Sequence, residues 1–237
     1  MNTRSLLSAT LIVLFAGVPV GARAQADRSA CGSLQNAYGP LDYRTDRGEK
    51  LKIVEDYHFG PAVEALIRGV SSSVGADLDY TLRAFPNHHR ALLAIMRLGE
   101  KTKSQTPTGA HFSVECYFDR AIRFRPDDTT VRMIYAMFLY SKAREADAAK
   151  QLEVANQLAE DNAFTHYNIG LVYFDNRDYQ RALEQAHRAI ELGFSRTELK
   201  EKLAAVGKWS EPVAKPKADA GLVPDESAAG ASAAGVK

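Results

Sequence analysis

From Ala163 to Phe194 the chain reads AFTHYNIGLVYFDNRDYQRALEQAHRAIELGF, and its apolar residues recur at intervals of three and four. Ile169, Gly170 and Tyr173 mark one stripe and Ala182 and Ala189 a second, with the polar turn Asp175-Asn176-Arg177-Asp178 between them. The pattern predicts two amphipathic helices folded back on each other. The same pattern occurs once more upstream at a constant shift, where Ala189 falls on Ala155, Ala182 on Ala148, Gly170 on Ala136 and Tyr173 on Leu139. Antiparallel helices that approach closely need small residues where they cross and large ones beside the crossing, and both segments supply them in register. Thr129–Asn162 is therefore a second copy of the unit.

Gly170, Tyr173, Ala182 and Ala189, with the equivalents one period earlier, make residues 129–194 resemble the tetratricopeptide repeat family. The resemblance is partial for 87–128. There HFSVECYFDRAIRFRP carries Phe118, Ala121 and the proline Pro126 at second-helix positions, whereas the first helix, NHHRALLAIMRLG, is displaced by a long polar connection from Lys101 to Ala110. The resemblance implies an all-α fold, a short α-solenoid whose first helices line a concave groove. Carried over, the groove positions are Thr130, Met133, Ile134, Met137 and Tyr140 in one unit and Phe164, Tyr167, Asn168, Leu171 and Phe174 in the next. None is basic, so the lysine and arginine clamp that chaperone-binding members close on a terminal carboxylate is not expected. An apolar or aromatic peptide suits the groove better, with Asn168 free to bond its backbone. The alternative is that residues 27–58 of the chain itself fill it.

Outside the repeats the pattern is weaker. Gly60-Pro61 predicts a helix to Val70, with proline in the first turn, then a break at Ser71–Gly75 and a short helix from Asp77 to Ala84 before Pro86. Residues 25–58 read as an irregular lead-in with a short strand at Leu51–Val54, and 59–128 as a degenerate repeat region, with Asn87 capping the helix that follows it. After the second repeat unit at 163–194, the segment 195–207 predicts a helix that seals the open end, capped by Ser195 with Glu198 behind it and ended by Gly207. Residues 208–237 are rich in Ala, Pro, Gly and Ser and predict a disordered tail. Residues 1–24 have the charged start and apolar run of a signal peptide, with cleavage after Ala24 or Ala26. Once that run is removed no membrane span is expected.

Composition narrows the function classes. The formal net charge is +1 and no basic block occurs, which argues against nucleic acid. Cys31 and Cys116 are the whole cysteine complement. In an oxidising compartment they form the smallest complete pair, although two separate buried thiols would also satisfy the sequence. Of the six histidines, His88 and His89 are adjacent, and neighbouring helical residues point about 100° apart. They do not suit one metal even with His58, His111, Asp77, Asp79 or Glu115 nearby, and no metal or cofactor is expected. Glu64 and Asp79 as a catalytic carboxylate pair, or His111 acting with Cys116, are equally unsupported by spacing. The expectation is a non-catalytic exported scaffold, periplasmic in a bacterium, holding a protein or peptide partner. The rival expectations are an envelope enzyme or regulatory subunit with chemistry between His58 and Arg90, or a self-assembling solenoid.

Overall fold

The computed structural model describes residues 31–212, which form ten helices and no strand among them. The signal-peptide reading and most of the predicted tail lie outside these residues. In chain order the helices are α1 Glu49–His58, α2 Pro61–Glu64, α3 Val74–Ala84, α4 His89–Thr102, α5 Val114–Phe124, α6 Thr129–Ser141, α7 Glu145–Ala159, α8 Ala163–Asp175, α9 Tyr179–Glu191 and α10 Glu198–Ala205.

Two spacings organise them. The starts of α6 and α7, Thr129 and Glu145, lie one sequence period before those of α8 and α9, Ala163 and Tyr179. One unit upstream the spacing is longer and again constant: Val74 to Val114 for α3 and α5, His89 to Thr129 for α4 and α6. The difference lies in the connection after α4, where residues 103–113 replace the short turns 142–144 and 176–178 that follow α6 and α8. That longer loop folds back over the start of α3. The Ser73 hydroxyl donates to the Thr108 carbonyl at 3.2 Å, and Gly75 admits Thr108 where any Cβ would strike its carbonyl.

Local chemistry sets most helix starts. Ser73, His88, Ser113, Asp128, Asn162 and Asp178 each accept from a backbone N–H three residues on, which satisfies one donor that the first turn leaves orphaned. His88 therefore caps α4, where Asn87 reads as the cap from the sequence. At α10 the helix begins after Thr197 with no side-chain cap, so Ser195 does not serve, while Gly207 ends it with φ +67° as expected.

Helices α4, α6, α8 and α10 stand in one row, each packed on the next. Helices α5, α7 and α9 form a second layer, each touching the two row members on either side of it. The small residues sit where the layers meet: Ala136, Ala148, Ala155, Ala182 and Ala189 are all buried, and so is Gly170. Two expectations fail upstream. Leu51–Val54 lies inside α1, because Leu51 and Val54 bury one face of a helix against α3. The helix from Pro61 stops at Glu64, since Leu66 turns to φ +56° and the Val70 and Ser71 amides bond Asp77 instead.

The lead-in before α1 is irregular and tightly held. Cys31 and Cys116 form a disulfide, with Cα atoms 5.1 Å apart. Buried Arg120 donates to the carbonyls of Cys31 and Ser33 at 3.0 and 2.6 Å while its guanidinium lies over Phe112. Arg123 takes the intervening Gly32 carbonyl at 3.0 Å. Burial holds the Arg120 guanidinium below its usual value, helped by Arg123, so its carbonyl partners are structural necessities.

Candidate functional site

The row of helices leaves a cleft of about 300 Å³ at the C-terminal ends of α4, α6 and α8. Met96, Met137, Tyr140 and Val172 supply its apolar walls, and Ser141 and Asn176 its neutral polar edge. Glu100 and Asp175 complete the lining. Met137 is 37% exposed, one of few large apolar side chains in the row that face solvent. A second cavity, of about 240 Å³, shares Met96 and Glu100 and extends the cleft between α4, α5 and α6. Its floor is Val114, Phe138 and Gly99, and the long loop contributes Ser104 and Gln105 as a wall. A methyl at Gly99 would lie 2.8 Å from Val114 Cγ2, so glycine lets α5 start this close to α4.

The predicted groove residues divide sharply. Met137 and Tyr140 line the cleft, whereas Met133 and Ile134 are buried behind it. In α8 none of the five expected residues reaches it. Tyr167 is buried, its ring tilted against Phe194 at 4.7 Å between centroids and its hydroxyl on Glu198. Phe174 packs on Tyr179 and carries Lys202 above its ring. Asn168 turns its amide onto the Phe164 carbonyl of its own helix at 2.9 Å, and Phe164 stays 57% exposed near Phe194. Leu171 is packed against the core. For Tyr167 and Phe174 the physical reason is α10, which takes the next place in the row and meets them through Glu198 and Lys202. Met96, Glu100, Val172 and Asp175 are the lining residues that sequence reasoning missed. Aligning α4 on α6 start to start, His89 on Thr129, puts Glu100 at the Tyr140 position, whereas Met96 falls on the buried crossing residue Ala136 and is not marked by the register.

The described part of the lead-in, from residue 31 to 58, does not line the cleft. It runs from Cys116 and Arg120 on α5 to the C-terminal end of α3, where Arg83 bonds Asn36, and Leu41 donates to the Ala84 carbonyl. It then reaches Asn87 and Asp128 at the starts of α4 and α6, whereas the cleft lies at their C-terminal ends.

The histidines are dispersed among separate acids. His58 Nδ1 lies 3.0 Å from Asp77, with its ring stacked on Tyr80. His88 Nε2 meets Glu55 at 3.2 Å, His89 Nε2 meets Asp128 at 2.9 Å, and His111 Nδ1 meets Asp79 at 2.8 Å. Among the described residues no three His, Cys, Asp or Glu side chains gather as a metal site. Glu64 is bonded by Arg90, whereas Asp79 accepts from Arg83, His111 and the Tyr117 hydroxyl, so the two carboxylates serve different partners. Cys116 is in the disulfide and offers no thiol to His111.

Burial is offset by hydrogen bonding at the acids of this half. Burial opposes ionisation of Asp42, but Arg44 and Asn87 outweigh it and hold the carboxyl well below its usual range. Asp128 is lowered against burial by His89 and Asn87. Burial also pushes the Tyr117 hydroxyl up, with Asp79 beside it adding to the shift. These groups are spent on holding the fold. Comparison with family models, curated proteins and solved structures gives no match for this chain.

Proposed function

We propose that this chain is a non-catalytic docking protein, a short tetratricopeptide-like solenoid that holds a peptide segment of a partner protein in its open cleft. The single observation that carries the reading is the cleft at exposed Met137 and half-buried Tyr140, backed by the nearly buried Met96 and Val172. Two hairpins in the same sequence register, with buried alanines at their crossings, support the solenoid architecture. Disulfide-bonded cysteines fit an oxidising, exported compartment such as a bacterial periplasm. No helix of the described residues is long and apolar enough to cross a membrane.

The test is site-specific photocrosslinking in the source cells. A photoreactive side chain at position 137 is expected to give a discrete protein adduct, and one at exposed Glu153 on α7 is not. Equal adducts from both positions, or none from 137, would remove the reading.

A further inference from the structure

We infer that the segment received by the cleft is cationic as well as apolar: a stretch in which lysine or arginine alternates with large apolar side chains. The inference rests on the docking reading above and adds the charge of the partner.

Among the described residues, Glu100 and Asp175 are the charged groups lining the cleft at Met137, whereas Glu115, Lys142 and Arg144 line the cavity that extends it. Glu100 and Asp175 are both exposed, and neither has an ion-pair or hydrogen-bond partner for its carboxylate among the described residues. Elsewhere surface acids are mostly answered by the chain's own bases. Glu64 has Arg90, Asp119 has Arg123, Glu115 and Asp147 share Arg144, and Asp161 has Arg188. Three of the nearby cations are otherwise engaged, while exposed Arg97 and Arg177 point to no acid of their own among the described residues. Lys101 donates to the Leu66 carbonyl, Lys142 lies 5.4 Å over Phe138 in the neighbouring cavity, and Arg144 is held at 2.6 Å by Glu115.

The cleft thus has a methionine and tyrosine floor between two unanswered carboxylates. Thioether side chains adapt to varied apolar partners and impose little shape selection, so charge is what remains to select. Rim carboxylates act mainly on encounter and on discrimination against like charge, and their effect shrinks as salt is added. The arrangement disfavours an acidic segment and favours a basic one whose apolar residues reach Met96 and Met137.

The experiment measures fluorescence anisotropy of labelled short peptides alternating leucine with lysine, glutamine or glutamate, titrated with the full chain, its disulfide intact. The lysine peptide is expected to bind about tenfold tighter than the glutamate peptide at low salt, with the gap closing as salt rises. In Glu100→Gln/Asp175→Asn the gap should fall below about threefold, while Met137→Ala weakens both peptides alike. Circular dichroism confirms that each variant is folded. If the three peptides bind equally and all depend on Met137, the docking reading stands and the cationic partner is overturned. Should no peptide show dependence on Met137, both fall.

Discussion

The carboxylate of Asp42 accepts from the amide of Asn87 at 2.7 Å, a bond that joins positions 45 residues apart. The same amide donates to Asp128 at 2.9 Å, and the Asn87 oxygen accepts from the Tyr43 N–H at 3.0 Å. One buried side chain therefore separates two buried carboxylates and anchors the lead-in to the junctions before α4 and α6. Arg44, Arg125 and His89 complete the charge balance around it. Asn87→Ala leaves three buried groups without this partner and two like charges facing each other. A loss of about 3 kcal/mol is expected in urea unfolding, and a change below about 1 kcal/mol would show that the cluster is not a determinant of stability.

The disulfide has a different source of stabilisation. Cys31 and Cys116 are 85 residues apart, and closing so long a loop in the unfolded chain is worth about 4–5 kcal/mol on chain-entropy arithmetic. Cys31→Ser/Cys116→Ser should unfold at markedly lower denaturant and become indifferent to reductant. It should still fold, because Arg120 and Arg123 keep their bonds to the carbonyls of residues 31–33. Melting curves of both proteins with and without reductant check this. An unchanged midpoint for the wild type under reductant would count against it.

What the sequence revealed and what it hid follow from how each signal arises. The repeat signal is local: small residues at helix crossings and polar turns between helices are written into a short stretch, so α6 to α9 and the buried alanines were readable in advance. The cysteine pair was readable because only one pairing exists. The cleft depends on neighbours that sequence spacing does not reveal. The repeat register treats α8 as an interior row member, but α10 takes the next place in the row and meets its Tyr167 and Phe174. The partner strip on α4 is displaced by the longer loop at 103–113. The lead-in was hidden for a similar reason. Its bonds run to Arg120, Asn87 and Asp128, and nothing in residues 31–47 marks those partners.

That terminal contact is itself testable. A Cβ at Gly170 would sit 2.5 Å from Leu199 Cδ2 and 3.2 Å from Gln185 Cβ, so glycine in α8 is what lets α10 settle on the row. Gly170→Ala should cost about 1–3 kcal/mol through overpacking, despite alanine's better helix propensity. Leu199→Ala should cost about 2–5 kcal/mol, because Leu199 is fully buried. The double variant should lose less than the two costs together, since removing the leucine relieves the clash. A double-mutant cycle from urea unfolding reads the coupling, and strict additivity would mean that α10 does not rest on Gly170.

The last expectation concerns pH. His88 is buried between Tyr43 and Phe59, and its two ring nitrogens have opposite duties. Nδ1 accepts from the Ala91 N–H at 3.1 Å as the cap of α4, which leaves the proton on Nε2, facing Glu55. A second proton could enter only at Nδ1, and it would displace the cap. Burial accordingly holds the imidazole below its usual value of 6.5, against the opposing pull of Glu55. The unfolded chain then binds more protons than the folded one in the window below about 6.5, so stability falls as pH drops through it, at up to about 1.4 kcal/mol per pH unit for one proton. The decline stops once pH passes the depressed folded value. Asn caps a helix well and does not titrate, so His88→Asn should be less stable at about pH 8 through lost packing yet show a shallower slope between about pH 6.5 and 5. The other five histidines are common to both proteins, and urea unfolding across that range isolates the His88 share. Identical slopes would mean that His88 takes up its proton in the folded state as readily as in the unfolded one.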